Sequence, residues 1–159
     1  MTTMKVDGIE EYKAQMSVLS QKQQRRIWRT IFRATGQSVV QKQARKNLRG
    51  LGLRKHAGKV TTRAKATNQN VEARIGARKR TQLAYIGHLI ENGTRPHVIK
   101  VRRKKGLARG KVFFGKSVQH PGTIARPWLR PAVQDTAQAV SDDITKRAAA
   151  EMEKVKRRD

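Results

Sequence analysis

The distribution of charge is the feature of this sequence that most constrains its fold and its surroundings. Residues 21–130 hold 29 lysines and arginines but only two acids, Glu72 and Glu91, whereas both ends are close to neutral. The whole of the formal charge of +26 therefore comes from the middle of the chain. Because like charges oppose a compact state, such a stretch should face a polyanion, an acidic protein or dense counterions. Nucleic acid is the default partner, bound through its phosphates without reading of bases.

The low apolar content limits the core that this chain can bury. Hydrophobic residues make up 36% of the sequence and aromatic residues 4%. We expect one domain, 1–159, with a modest core that gains part of its stability from neighbouring subunits. The absence of cysteine excludes disulfides and thiolate metal sites. Residues 1–16 carry acids and no apolar run, so we expect no signal peptide, and no stretch is apolar enough for a membrane-spanning helix.

The spacing of apolar residues predicts three helices. Steps of three and four residues indicate a first helix over 8–20 and a longer second helix over about 21–48. Gly50 and Gly52 are expected to end the second helix. The same spacing begins again at Pro131, and proline suits the first turn of a helix because its missing N–H has no partner there.

The region between the second and third predicted helices has the patterns of strands. Alternation over 71–75 predicts a half-buried strand, and 82–91 could be a short helix or a strand. The stretches 97–101 and 111–118 look like two strands, with the basic segment 102–110 as the tip of a hairpin between them.

The remaining polar segment, 53–69, predicts either a loop or a strand with a frayed edge. We therefore expect a basic loop at about 50–70 and a basic hairpin at about 95–119. The order of elements predicts an α+β fold, with two N-terminal helices and a long C-terminal helix packed on a small, mainly antiparallel sheet.

Two short segments, 85–94 and 120–132, place turn residues beside apolar or aromatic groups. In the first, Gly93 permits a left-handed turn. In the second, Pro127 and Pro131 restrict the backbone on both sides of an aromatic residue, which then enters a core or an interface in one pose. These devices position surfaces and do not perform chemistry.

The two segments resemble motifs of the small neck or tail-completion proteins of long-tailed double-stranded-DNA phages, which are also called minor tail or head–tail connector proteins. Members commonly show Glu-aromatic-Gly-Thr, followed by Pro-aromatic-Leu-Arg-Pro-Ala. This chain matches the first motif at Glu91, Gly93 and Thr94, with Asn92 where an aromatic residue is usual, and it matches the second over 127–132.

The resemblance spans roughly 6–155, and its specific part is 85–132. Residues 6–9 look like the start of the family's sequences. Residues 48–53 stand where members often carry Pro-x-x-Thr-Gly-x-Leu, but here the proline and the threonine are missing.

The resemblance implies a structural virion protein rather than an enzyme, with no cofactor and no membrane contact. Such a protein would form a closed ring of six or twelve copies at the head–tail junction, after assembly in the host cytoplasm. Its partners would be other connector, stopper and tail-terminator proteins and the genomic DNA in the channel. The alternative is a nonspecific basic nucleic-acid-binding protein.

Two sets of candidate residues follow. The candidates for contact with DNA or with an acidic partner are Arg78, Lys79, Arg80, Arg102, Arg103, Lys104, Lys105, Arg109 and Lys111. Plain solvation of these basic runs is the third possibility. The candidates for a structural motif or a subunit interface are Tyr85, Glu91, Gly93, Thr94, Pro127, Trp128, Leu129, Arg130 and Pro131.

Glu91 is one of two acids in the basic region, so we expect it to pair with an arginine. The candidates are Arg95, Arg126 and Arg130, either within the chain or across subunits. A catalytic role is disfavoured because no second carboxylate lies nearby in sequence for acid–base work. The sequence also contains no Gly-rich phosphate loop and no nucleophile–base pair.

A functional role and a structural role can also be compared for Trp128 and for the histidines. Trp128 could stack on a nucleic-acid base, but its flanking prolines favour a packing anchor. The spacing of the four histidines fits no zinc pattern, which favours ordinary hydrogen-bonding or turn roles. These histidines are His56, His88, His97 and His120.

Overall fold

The computed structural model describes the chain over 9–67, 70–101, 106–109 and 111–157. Within these ranges the helices are α1 (Ile9–Gln15), α2 (Gln21–Thr35), α3 (Lys42–Gly50), α4 (Arg54–Ala57), α5 (Gln82–Asn92), α6 (Arg130–Asp135) and α7 (Ala137–Lys156). The strands are β1 (Val60–Ala66), β2 (Val71–Ala77), β3 (His97–Lys100), β4 (Leu107–Arg109), β5 (Val112–Gly115) and β6 (Ser117–His120). Helices and small antiparallel sheets are mixed, which confirms the predicted α+β class.

Helices α2 and α3 are joined without a break by a π-helical turn, Gly36–Gln41. Ser20 begins α2 with a capping box, in which its hydroxyl accepts from the Gln23 N–H at 3.4 Å and the Gln23 side chain accepts from the Ser20 N–H at 2.9 Å. The predicted long second helix is therefore correct, and the π turn inside it is an addition that apolar spacing did not show.

The buried residues form two clusters. The first joins α2 to α7, and its members are Met16, Trp28, Ile31, Val40, Val140, Ile144, Ala148 and Met152. The second joins α3 and α4 to β1, α5 and α6, and its members are Ala44, Leu48, Ala57, Val60, Leu83, Trp128 and Ala132. Ile75 of β2 packs against both clusters and so connects them.

The β1–β2 hairpin packs against the helical surface formed by α2 and the π turn. Its strands pair antiparallel in register from Val60 opposite Ala77 to Ala66 opposite Val71. The segment 53–69 thus contains a short helix and a full strand, so the strand reading of this segment is correct and the loop reading is wrong.

The pairing of the later strands differs from the prediction of one hairpin between 97–101 and 111–118. Strand β3 pairs with β6, and β4 pairs with β5 inside that pair. The physical reason is a break at Gly115, whose φ of +80° turns the chain and divides the second predicted strand into β5 and β6. Residues 102–105 and 110 of the predicted tip lie outside the described residues, as do residues 6–8 of the family-like start.

No helix in the described ranges is long and apolar enough to cross a membrane. The same ranges contain no group of three or more histidine or acidic side chains that could hold a metal ion.

Candidate functional site

Three features of the described chain could contact a partner or position one: the junction of the two sequence motifs, an apolar arm and a basic groove. At the junction, the carboxylate of Glu91 lies at the end of α5 and faces the start of α6. It accepts hydrogen bonds from the backbone N–H groups of Trp128 at 2.8 Å, Leu129 at 2.9 Å and Arg130 at 2.8 Å. One side chain therefore satisfies N–H groups that the start of a helix leaves without intrahelical partners.

This arrangement corrects the expected partner of Glu91 within the chain. Among the described residues, its carboxylate is within ion-pair distance of none of Arg95, Arg126 and Arg130. Instead, Arg126 donates a 2.9 Å hydrogen bond to the backbone oxygen of Leu51, and Arg130 donates a 3.4 Å bond to the side-chain oxygen of Asn92. The negative charge of Glu91 is thus held by backbone dipoles.

Trp128 is the packing anchor of the junction. Its side chain is only 3% exposed, and its indole N–H donates a 3.1 Å hydrogen bond to the backbone oxygen of Gly87 on α5. A ring buried in this way has no free face on which a nucleic-acid base could stack. Of the neighbouring motif residues, Leu129 and Pro131 are half-buried and Pro127 is exposed.

The two motifs also meet beside the junction, through a backbone bridge between Thr94 and Thr123. Each residue donates its N–H to the other's carbonyl oxygen, at 2.9 and 3.0 Å, and the hydroxyls lie 2.9 Å apart. Gly93 has a φ of +68°, and a Cβ there would lie 2.5 Å from the carbonyl oxygen of Thr123. Gly122 makes the reciprocal close approach to the carbonyl of Thr94. The bridge therefore needs glycine on both sides.

The chain between these glycines forms what we call the apolar arm, which consists of strands β3 to β6 over 97–120. Its strands carry large apolar side chains that remain in water: Val98, Ile99, Val112, Phe113 and Phe114. Phe113 is 64% exposed and Phe114 47%, although consecutive side chains of a strand point to opposite faces. Both faces of β5 therefore keep large apolar side chains partly exposed to solvent in the described part of the chain.

Tyr85, a motif residue expected at an interface, is also exposed. It lies one helical turn before Leu89 on α5, and the two side chains are 70% and 40% exposed. They form a second apolar surface, separate in sequence from the apolar arm.

The basic groove lies between β1 and the continuous helix formed by α2, the π turn and α3, which we call the long helix. Its volume is about 810 Å³. Its charged lining consists of Arg29, Arg33, Arg45, Arg63 and Arg78. No acidic side chain lines it within the described chain. The groove therefore concentrates positive charge without an internal counterion.

The helical wall of the basic groove is a row of polar residues at four-residue steps. Arg29 and Arg33 of α2 continue through Gln37 and Gln41 of the π turn to Arg45 of α3. Because an α-helix has fewer than four residues per turn, side chains at four-residue steps move gradually around its axis. A π turn holds more residues than an α turn, so it offsets part of that rotation. The row therefore stays on the side that faces β1.

The opposite wall is fixed to the helix by buried contacts. The Thr62 hydroxyl donates a 2.7 Å hydrogen bond to the side-chain oxygen of Gln41, and both residues are buried. Arg45 reaches across to donate a 2.9 Å bond to the backbone oxygen of Val60. Its Nε is shielded from solvent and has no acceptor among the described residues.

Only part of the predicted contact set can be located. Arg78 lines the basic groove, Lys79 and Arg80 are exposed in the turn after β2, and Lys111 is exposed before β5. Arg102, Arg103, Lys104 and Lys105 lie outside the described residues, and Arg109 is described only through its backbone in β4.

Four groove arginines, at positions 29, 33, 45 and 63, were not singled out from the sequence. The arginines on the helix were expected to be part of a generally basic, solvated helix surface. The candidates were chosen from runs of adjacent cations, and these arginines are four or more residues apart. The four-residue row of Arg29, Arg33, Gln37, Gln41 and Arg45 is the signal that could have identified one wall. Nothing in the sequence indicates that β1 closes the other.

Comparisons of this chain with protein-family models, with curated proteins and with solved structures find no match. A functional assignment therefore depends on the motif residues, the apolar arm and the basic groove.

Proposed function

We propose that this chain is a structural protein of a tailed-phage virion. Copies of it would form a closed ring of six or twelve subunits at the neck, where the ring joins the DNA-filled head to the tail and completes the tail. The proposed role is that of a scaffold that binds neighbouring connector, stopper and tail-terminator rings, and it requires no catalysis and no cofactor.

The observation that carries this proposal is the exposure of the apolar arm. Large apolar side chains stand in water on both faces of β5, including Phe113 and Phe114. Contiguous exposed apolar surface on a small protein is typical of an interaction site. A ring needs two different surfaces that fit each other on successive subunits, and the arm and the Tyr85–Leu89 surface are two such candidates.

The motif junction supports the proposal by fixing the root of the apolar arm. The chain enters the arm just after Thr94 and leaves it just before Thr123, and these two residues are bridged to each other. The Glu91 cap and the Trp128 anchor lie directly beside that bridge. An arm held at its base in this way can present its apolar surface to a neighbouring subunit in one orientation.

Mass photometry and negative-stain electron microscopy of the purified chain test the proposal. Wild type should form a closed ring over a concentration series, and Phe113→Glu should shift it to monomer. Val18→Glu is the matched control, because Val18 is 74% exposed and lies outside the arm. The proposal fails if wild type stays monomeric, alone and with DNA, or if both substitutions have the same effect.

The basic groove favours a second candidate, a nonspecific nucleic-acid-binding protein that acts as a monomer or dimer. Light scattering distinguishes the two functions. A stable monomer in low and moderate salt that binds DNA tightly would favour this second function, whereas a ring that forms without DNA would favour the first.

A further inference from the structure

We infer that the basic groove between α2–α3 and β1 binds the sugar–phosphate backbone of duplex DNA without reading its bases. The inference deepens the DNA-contact part of the proposed function and rests on it there. It also assigns the DNA contact to the residues that line the groove, which come together only in the folded chain, rather than to the basic runs of the sequence.

The chemistry of the lining favours phosphate as the ligand. All five cations that line the groove in the described chain are arginines. A guanidinium presents a planar fork of donors that matches two phosphate oxygens at once, which the compact ammonium of lysine cannot do. Neutral donors stand between them, including Gln37 and Thr61, and such groups also contact phosphates in DNA complexes.

The same lining argues against an acidic protein as the occupant. Stable protein interfaces are centred on buried aromatic or aliphatic anchors that fill pockets. Ala64 is the only apolar side chain that lines the groove among the described residues. An acidic segment would find charge there but no apolar anchor.

The absence of aromatic lining distinguishes duplex from single-stranded nucleic acid. Proteins that bind single strands stack the bases on aromatic side chains along a basic groove. No aromatic side chain lines this groove within the described residues. A duplex keeps its bases stacked internally and presents only its phosphates, which is what arginines without aromatic partners can bind.

The wall of the groove is organised before a ligand arrives. Buried Gln41 and Thr62 hold β1 against the helix, so the arginines on the two sides keep their separation. Arg45 adds to this connection, because its guanidinium donates a 2.9 Å hydrogen bond to the backbone oxygen of Val60 on β1.

Fluorescence anisotropy with a labelled duplex of about 30 base pairs, over a series of salt concentrations, tests the inference. Each phosphate contact contributes a slope of about −0.9 to the plot of log affinity against log salt. Arg33→Gln with Arg63→Gln should therefore reduce the slope by about two and weaken binding about tenfold at moderate salt. Both side chains are exposed, so folding should be retained.

The matched control is Arg26→Gln with Arg49→Gln, which removes two exposed arginines from the same long helix outside the groove. It should leave the slope close to that of wild type. A single strand of equal length, tripolyphosphate and polyglutamate are tested as competitors, and each should displace the duplex less well than unlabelled duplex does.

The inference is overturned if the groove and control doubles have equal slopes, if wild type does not bind the duplex, or if any of the other competitors matches the unlabelled duplex. Ring assembly is measured separately by mass photometry on the same proteins. A wild-type protein that forms rings but does not bind the duplex would refute this inference alone, whereas duplex binding through the groove by a permanent monomer would refute the proposed ring.

Discussion

Glu91 and Trp128 are 37 residues apart in sequence and are joined by a 2.8 Å hydrogen bond from the Trp128 backbone N–H to the Glu91 carboxylate. The same carboxylate also accepts from the two following N–H groups, so it occupies the start of α6 much as a bound anion would. Residues of the two sequence motifs therefore bind each other directly. Their shared task in the fold is to connect the end of α5 to the start of α6.

Glu91→Ala should lower the free energy of unfolding by about 2–3 kcal/mol, because it leaves N–H groups at a half-buried site without an acceptor. Glu91→Gln should cost about 1 kcal/mol, since the amide keeps one accepting oxygen but loses the charge. Urea denaturation measures both effects as a shift of the midpoint with an unchanged slope.

The control for Glu91 is Glu72, the other acid of the basic region. Glu72 pairs with Arg74 at 3.0 Å on the surface. Glu72→Ala should change the stability by less than about 0.5 kcal/mol, as is usual for exposed pairs. Equal effects of the two alanine substitutions would contradict the capping role of Glu91.

Trp128→Phe should destabilise the fold by about 2 kcal/mol, because the smaller ring leaves space in the second core cluster and the Gly87 carbonyl loses its donor. Thermal unfolding followed by circular dichroism measures the loss. Tyr85→Phe is the control, since it removes a hydroxyl from a ring that is 70% exposed and should have almost no effect. A Trp128 variant as stable as the Tyr85 variant would show that Trp128 is no anchor.

Gly36→Ala should destabilise the chain by about 1–3 kcal/mol through crowding against β1. A Cβ at position 36 would lie 2.7 Å from Cγ2 of buried Thr62, and a β-branched side chain has little freedom to move away. Differential scanning calorimetry provides the measurement.

Two further variants show whether crowding is the cause. Gly50→Ala is the control, because a Cβ there meets nothing within 4 Å at the end of the same long helix. Thr62→Ser removes the obstructing methyl group and keeps the hydroxyl that bonds Gln41, so it should restore stability to Gly36→Ala. Failure of this rescue would exclude the contact as the source of the destabilisation.

The pH dependence of stability should include a contribution from Asp143 on α7. Burial raises the pKa of this carboxyl, but the hydrogen bond from Arg147 at 2.7 Å, the charge of Arg147 and further hydrogen bonds, including one from Ser38, together outweigh burial, so the pKa lies below its ordinary value. A pKa lowered by folding stabilises the fold above the unfolded-state pKa of about 4, and that stabilisation is lost as the pH falls through the folded-state value.

Asp143→Asn should therefore cost about 0.5–1 kcal/mol at pH 7, and its difference from wild type should shrink as the pH falls below about 4. Urea midpoints measured between pH 7 and pH 2.5 test this. Asp142→Asn, at an exposed position beside it, should cost less than about 0.5 kcal/mol at pH 7. A difference for Asp143→Asn that grows toward acid would have the wrong sign and would refute the argument.

Helices and fold class were predictable because their signals are local. Apolar spacing predicted α2 and α7. For 82–91, where α5 lies, the sequence allowed either a short helix or a strand. The antiparallel return of the chain through the apolar arm agrees with the predicted hairpin, but the division of its second strand was missed, because alternation over 111–118 does not reveal that Gly115 turns the chain in the middle of the pattern.

The candidate site was less predictable than the fold. The motif residues were identified as positioning devices, yet the partner of Glu91 was expected to be an arginine, since charge is visible in a sequence and backbone N–H groups are not. The basic groove was missed because it depends on the docking of β1 against the π turn, where Gly36 and Thr62 are in contact.

The sequence alone was sufficient to determine the location of the charge, the course of the main helices and the presence of two turn-rich motifs, because each depends on neighbouring residues. Folding decides which distant groups meet: Glu91 with the start of α6, Thr94 with Thr123, and the arginine row of the long helix with Arg63 and Arg78. These meetings depend on core packing and on hydrogen bonds between segments far apart in sequence, and no local pattern encodes either.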